Sequence, residues 1–140
     1  MSRSEFDKWC RRGDREALVA ELASIADPLS REKFYVNLFK VAERCKPGLA
    51  RHFGELYVDE FYRESAPFGE EIGPDVGILQ RLVQLYEYES AWEMAAWVCE
   101  FAVAFGIADD GTRRGFAARA TRNREKAVTL AERVVPSALS

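Results

Sequence analysis

The chain has little of what most chemistry requires: one histidine and three cysteines in 140 residues. Cys10, Cys45 and Cys99 are far apart, odd in number and never in a CxxC spacing. That pattern argues against a disulfide framework or a zinc site, and it fits structural thiols, buried or partly buried, kept reduced in a cytosol. His52 stands between Arg51 and Phe53, and no serine or cysteine at readable spacing makes a nucleophile pair with it. Metalloprotease, zinc-finger and dinucleotide fingerprints are absent. No catalytic residue, metal ligand or cofactor site is therefore expected. Large net charge is missing too: a formal charge of -3 excludes a generally basic nucleic-acid binder while leaving room for a local basic patch. No stretch reaches the roughly 18 apolar residues of a membrane span. The opening MSRSEFDKWCRRGDRE has no apolar run of signal-peptide length, so a cytoplasmic location is expected.

What is present is helical periodicity, on a composition of 48% hydrophobic and 31% charged residues that suits one globular domain. Ser4 is a candidate cap for a first helix carrying Phe6, Trp9 and Cys10, which Gly13 ends. Asp14 caps a second helix to about Ala26, with Leu18, Leu22 and Ile25 on one face. Asp27-Pro28 breaks the chain, and Ser30 opens a third helix with Phe34, Leu38 and Val41 on one side and Tyr35, Phe39 and Ala42 beside them. Pro47 suits the first turn of a fourth, where Leu49, Phe53, Leu56, Tyr57 and Phe61 fall at helical spacing. The irregular stretch 65–75, SAPFGEEIGPD, reads as a hinge between an N-terminal half (1–64) and a C-terminal half (76–135) of a single domain. A fifth helix is expected over Val76–Glu89, a sixth over Ala91–Gly106 and a seventh from Thr112 to about Val135, with PSALS frayed. The fold class is all-α: a bundle or short α-solenoid of about seven helices.

Helices five and six carry a further pattern. Leu79, Leu82, Val83 and Tyr86 form a stripe, and Ala95, Cys99 and Ala102 follow across a turn at Ser90. A large aromatic in one helix and small residues at this spacing in the next resemble a tetratricopeptide-like helical hairpin. Val83 stands where that family has a small residue, and no proline follows Ala102 at its usual distance. The run YESAWEMAAWVCEFAVAFGIADDGTRRGFAARATR is similar to the C-terminal repeat of many uncharacterised bacterial proteins. In these a DDGT-type turn leads into a helix bearing an arginine, matched here by Asp109, Asp110, Gly111, Thr112, Gly115, Phe116 and Arg119. The resemblance covers residues 76 to 125, about a third of the chain. It implies a protein-binding scaffold whose partners are set by surface side chains. Residues 1 to 64 show no copy of the pattern, so a long tandem array is not expected.

The DDGTRRG segment has the wrong glycine spacing for a nucleotide loop, and reads as a turn in which Gly111 supplies an unusual backbone angle and Thr112 caps the last helix. The pairs Asp59–Glu60 and Glu70–Glu71 read as solvated charges. On the last helix Phe116, Ala120, Ala127, Leu130, Ala131 and Val134 make an apolar stripe, with Arg119, Arg122, Lys126 and Arg133 as a basic ridge beside it. That ridge is the candidate contact for a protein partner, with a nucleic-acid backbone as the alternative. Trp97 and Phe101, on a second apolar side of helix six, become binding candidates if the fold leaves them uncovered. The function expected is a non-enzymatic adaptor or scaffold that holds a protein partner or a second copy of itself. A small nucleic-acid-associated protein is the alternative, and an enzyme of unknown type a distant third.

Overall fold

A computed structural model describes residues 2–61, 74–107 and 111–139, with the backbone alone for 134–139. Among the described residues there are seven helices and no strand, which makes the fold all-α. They are α1 (Arg3–Arg12), α2 (Arg15–Ser24), α3 (Pro28–Cys45), α4 (Pro47–Glu60), α5 (Val76–Tyr88), α6 (Trp92–Ala104) and α7 (Phe116–Leu139). The chain divides into two compact units, Met1–Arg81 and Leu82–Ser140, with the division inside α5. Of the expected hinge at 65–75, only Pro74 and Asp75 lie within the described residues.

In the first unit an aromatic chain makes the core. Phe6 of α1 meets Phe34 of α3 edge to face at 5.4 Å, Phe34 meets Phe53 of α4 at 6.0 Å, and Tyr35 meets Tyr57 at 4.9 Å. Ring pairs in these geometries add to the area they bury, so α3 is the element on which α1 and α4 assemble. Tyr57 also carries a polar handle. Its hydroxyl accepts from the Asp75 backbone N–H at 2.7 Å, and Asp75 Oδ1 in turn takes the Ile78 N–H at 2.9 Å to cap α5. Burial pushes the Tyr57 phenol well above its ordinary range, so it stays protonated.

Helix ends depart from the sequence reading by small, explicable steps. Ser2, not Ser4, caps α1, accepting from Glu5 N–H at 3.1 Å. Asp27, not Ser30, caps α3. Pro28 at the first helical position has no N–H to satisfy, and the carboxylate ahead of it takes both the N–H (3.0 Å) and the hydroxyl (2.8 Å) of Ser30. α7 begins at Phe116, four residues past Thr112, whose hydroxyl takes the Arg114 N–H within the preceding turn. Its helical backbone then continues past Pro136 to Leu139, where fraying was expected.

Glu60 is the largest departure. Expected to be solvated, it is 2% exposed at the last turn of α4. There it is ion-paired with Arg31 and accepts the Tyr35 hydroxyl at 2.9 Å. Arg31 also donates 2.7 Å hydrogen bonds to the carbonyls of Leu22 and Ile25, so one guanidinium closes α2 and neutralises α4. Removing one partner of a buried pair costs about 3–5 kcal/mol, because the other is left charged and dry. Arg31→Met is therefore expected to lower urea stability by about that much, and Arg31→Met with Glu60→Leu to recover most of it. A loss in the double variant equal to the sum of the losses of Arg31→Met and Glu60→Leu taken singly would show that the pair is not coupled.

Helices α1, α5 and α6 end the same way. Asp14 N–H bonds Trp9 O while Gly13 N–H bonds Cys10 O; the same crossed pair joins Ala91 to Tyr86 and Ser90 to Glu87, and Ile107 to Ala102 and Gly106 to Val103. The motif needs a left-handed residue, supplied by Gly13 (φ 68°), Gly106 (φ 83°) and, unusually, Ser90 (φ 61°). A side chain in that conformation is strained by about 1–2 kcal/mol, partly offset by the extra unfolded-state freedom of glycine. Ser90→Gly should thus raise stability by about 0.5–1 kcal/mol, and Gly106→Ala lower it by about 1 kcal/mol, in thermal or urea unfolding.

Candidate partner-binding groove on α6 and α7

Within the second unit, among the described residues, α7 packs extensively along α6. Its first three turns are locked. Phe116 and Asn123 are buried. Glu87, in the last turn of α5, receives Arg119 Nη2 at 2.5 Å and Asn123 Nδ2 at 2.9 Å. Arg124 closes on Glu100 of α6 at 2.5 Å and 3.3 Å. Burial alone pushes the Glu87 carboxyl up, but the hydrogen bonds from Arg119 and Asn123, with the charge of Arg119 and Arg122, hold it below its ordinary value of 4.5.

Beyond Ala127 the locking stops. Every residue from Val128 to Arg133 is exposed, including Val128 at 49% and Leu130 at 52%. The length mismatch explains it: 13 residues of α6 extend about 20 Å, and 24 residues of α7 about 36 Å. The apolar stripe of α7 thus outlasts the helix that covers it.

Two adjoining hollows mark this place. One, of about 460 Å³, is lined by Ala91, Trp92 and Met94 of the α6 start and Ala127, Leu130 and Ala131 of α7, with Ser90 and Glu93 at its edge. The other, of about 510 Å³, is lined by Trp92, Arg122, Glu125, Lys126, Thr129, Leu130 and Arg133. They share Trp92 and Leu130, so together they form one groove with an apolar floor and a basic wall. The Lys126 ammonium sits 4.2 Å from the centre of the Trp92 ring, a cation–π contact that leaves its charge at the surface.

Of the residues expected to meet a partner, the structure brings Arg122, Lys126 and Arg133 together on this wall. Arg119 is instead an internal tie to Glu87, with 11% of its side chain exposed. Phe101 is buried, its ring 5.6 Å from that of Phe105, and cannot serve as an exposed contact; Trp97 is half-buried. The more open aromatic of that helix end is Phe105. Trp92 and Leu130 were missed as site residues, since each taken singly reads as core. Cys10 and Cys99 are buried and pushed up to about 12 by desolvation, whereas Cys45 is exposed, against expectation. Asp109 and Asp110 of the DDGT-type turn and the Glu70–Glu71 pair lie outside the described residues.

Among the described residues no helix is long and apolar enough to cross a membrane. Comparison of the chain with protein-family models, with curated proteins and with solved structures finds no match.

The lowered Glu87 fixes an acid dependence. A carboxylate whose folded pKa lies below its unfolded one contributes stability above the unfolded value and loses it as pH falls through the folded value. Unfolding stability should therefore drop as pH falls below about 4.5, and Glu87→Gln should flatten that limb while lowering stability at neutral pH. A parallel acid limb in the variant would assign the effect to other carboxylates.

Proposed function

We propose that this protein is a non-enzymatic adaptor that holds a protein partner in the α6–α7 groove. The observation that carries the reading is the exposed continuation of the α7 apolar stripe, at Leu130 above all, beside three cations that gather on one wall. An apolar floor with a charged border is what an amphipathic segment of another protein requires. The groove's polar groups are three cations, two glutamates, a serine and a threonine. The tetratricopeptide-like kinship of α5 and α6 belongs to the same reading, supported by full burial of Ala95, Cys99 and Ala102. So does a cytoplasmic site of action, where three free thiols persist.

The partner's chemistry follows from the wall. At about 100° per residue, Arg122, Lys126 and Arg133 all lie within about 80° of Leu130 on one side, while Glu125 and Glu132 lie about 140–160° away. Two copies of α7 related by a two-fold axis and running antiparallel would set this basic side against itself. A segment with acidic residues beside its apolar face suits the groove better than a second copy does. The nucleic-acid alternative is weaker than the sequence made it, because Arg119 is taken by Glu87 and the ridge is interrupted.

A photo-reactive residue at position 130 should cross-link to a protein in native extract, and Leu130→Asp in a tagged chain should abolish that protein's co-purification without changing helicity. Light scattering and cross-linking that find only the unpartnered monomer would end the adaptor reading. Retention on single-stranded DNA, lost on charge reversal of Arg122, Lys126 and Arg133, would replace it with the nucleic-acid one.

A further inference from the structure

The first unit holds a cavity of about 520 Å³ that plays no part in the groove. Its walls come from α1 (Arg3, Phe6, Asp7), the end of α2 (Ile25) and one face of α3 (Ser30, Lys33, Phe34, Asn37, Lys40, Val41). The floor is apolar: Phe6 and Phe34, joined edge to face, with Ile25 and Val41 at the sides. It is also held in place, because Arg31 Nη1 grips the Ile25 carbonyl at 2.7 Å and so fixes the end of α2 against α3.

The rim is charged in an unbalanced way. Arg3, Lys33 and Lys40 all line the cavity, and among the described residues none of the three is in a salt bridge. Along α3, neither Lys33 nor Asn37 has an acid three or four residues away, and the one neighbour of Lys40 at that spacing, Glu43, is engaged by Arg81 at 3.5 Å. Asp27 is within electrostatic range of Lys33, with its Oδ2 accepting the Ser30 N–H and hydroxyl. Asp7 is the single acid on the wall. In a chain with an excess of acidic residues, three cations gathered over an aromatic floor with one carboxylate among them are an unspent charge. Asn37 adds a side-chain donor between the two lysines, one helical turn from each.

We propose that this cavity binds a small amphiphilic anion, its apolar body against Phe6, Phe34, Ile25 and Val41 and its carboxylate or phosphate head on Arg3, Lys33 and Lys40. The volume lies within the roughly 300–1,000 Å³ of small-molecule sites, and an apolar surface with a few convergent polar groups is their usual make-up. The proposal is independent of the groove on α6 and α7.

The test uses the full chain with decanoate, decyl phosphate, decanol and inorganic phosphate, below their aggregation thresholds, by calorimetry and by amide chemical shifts. One or both of the decyl anions should bind at least about tenfold tighter than decanol, a difference of about 1.4 kcal/mol. Shifts should centre on α1 and α3. Whichever decyl anion binds tighter identifies the head group. Arg3→Gln, Lys33→Gln and Lys40→Gln together should reduce that preference to parity. Asn37→Trp, which sets a ring over the opening from an exposed position, should weaken binding about tenfold or more, while Leu130→Asp should leave it unchanged. The proposal is overturned by equal affinity for decanol, by inorganic phosphate binding as tightly as decyl phosphate, or by no binding at millimolar concentration. Shifts centred on α6 and α7, or binding only to anionic vesicles, would overturn it as well.

Discussion

A carboxylate at the unfavourable end of its helix, neutralised by an arginine from another helix, is the interaction on which both units depend. Glu60 is the last residue of α4 and Glu87 lies in the last turn of α5, where unpaired carbonyls make the helix end negative. An isolated α4 or α5 is weakened by these acids. Each becomes favourable only when Arg31 of α3 or Arg119 of α7 arrives. The helix and its docking are thereby coupled: α4 and α5 reach full stability in the presence of their partners, which sharpens folding into one arrangement. The second ends of these arginine contacts add to the effect. Arg31 also satisfies the carbonyls that end α2, and Glu87 also receives Asn123, so each pair sets the register of a third element or a further turn.

Local patterns made the helices legible. The stripes Leu18–Leu22, Phe34–Leu38 and Phe53–Tyr57 are buried as their spacing requires, and Gly13 and Pro47 punctuate where their backbone preferences place them. Long-range pairing was not legible. Glu60 and Arg31 are 29 residues apart and Arg119 and Glu87 are 32 apart, so each charge, read with its neighbours, looked like a solvated flank. From the sequence, Arg119 therefore reads as part of the surface ridge and Glu60 as a solvated charge. Phe101 reads as a candidate surface because α6 is apolar on two sides, and only the packing of the other helices decides which side is covered. The cavity of the first unit is illegible for the same reason: Arg3 and Lys33 come to line one cavity through the packing of α1 on α3, which no spacing in the sequence reports.

The groove follows from this locking. Once Glu87 and Glu100 have fixed α7 through Arg119, Asn123 and Arg124, the position of every later α7 residue is set by helix geometry. Leu130 shares the face of the seated Phe116 and Asn123, and it lies beside Ala91 and Trp92 where α6 starts and its cover gives out. Its exposure is thus a consequence of the locked register and of a covering helix about half as long. A helix that spends its first three turns on its own fold has the remainder available for another.

Both surfaces combine cations with apolar side chains on a chain whose net charge is -3, and that combination constrains how they can select. At physiological salt, fields beyond about 8 Å are screened, and the excess acid of the whole protein opposes any long-range attraction of an anion. Three cations at the surface are therefore effective only in contact, where each exposed pair is worth at most about 1 kcal/mol. An anion with no apolar part gains too little to stay, and an apolar body with no charge leaves the cations unanswered. Selectivity has to come from the two together: Leu130 and Trp92 with Lys126 in one unit, Phe6 and Phe34 with Lys33 and Lys40 in the other. The same arithmetic predicts weak salt dependence of the association rate at both places, because the attraction that matters begins only after the apolar surfaces have met.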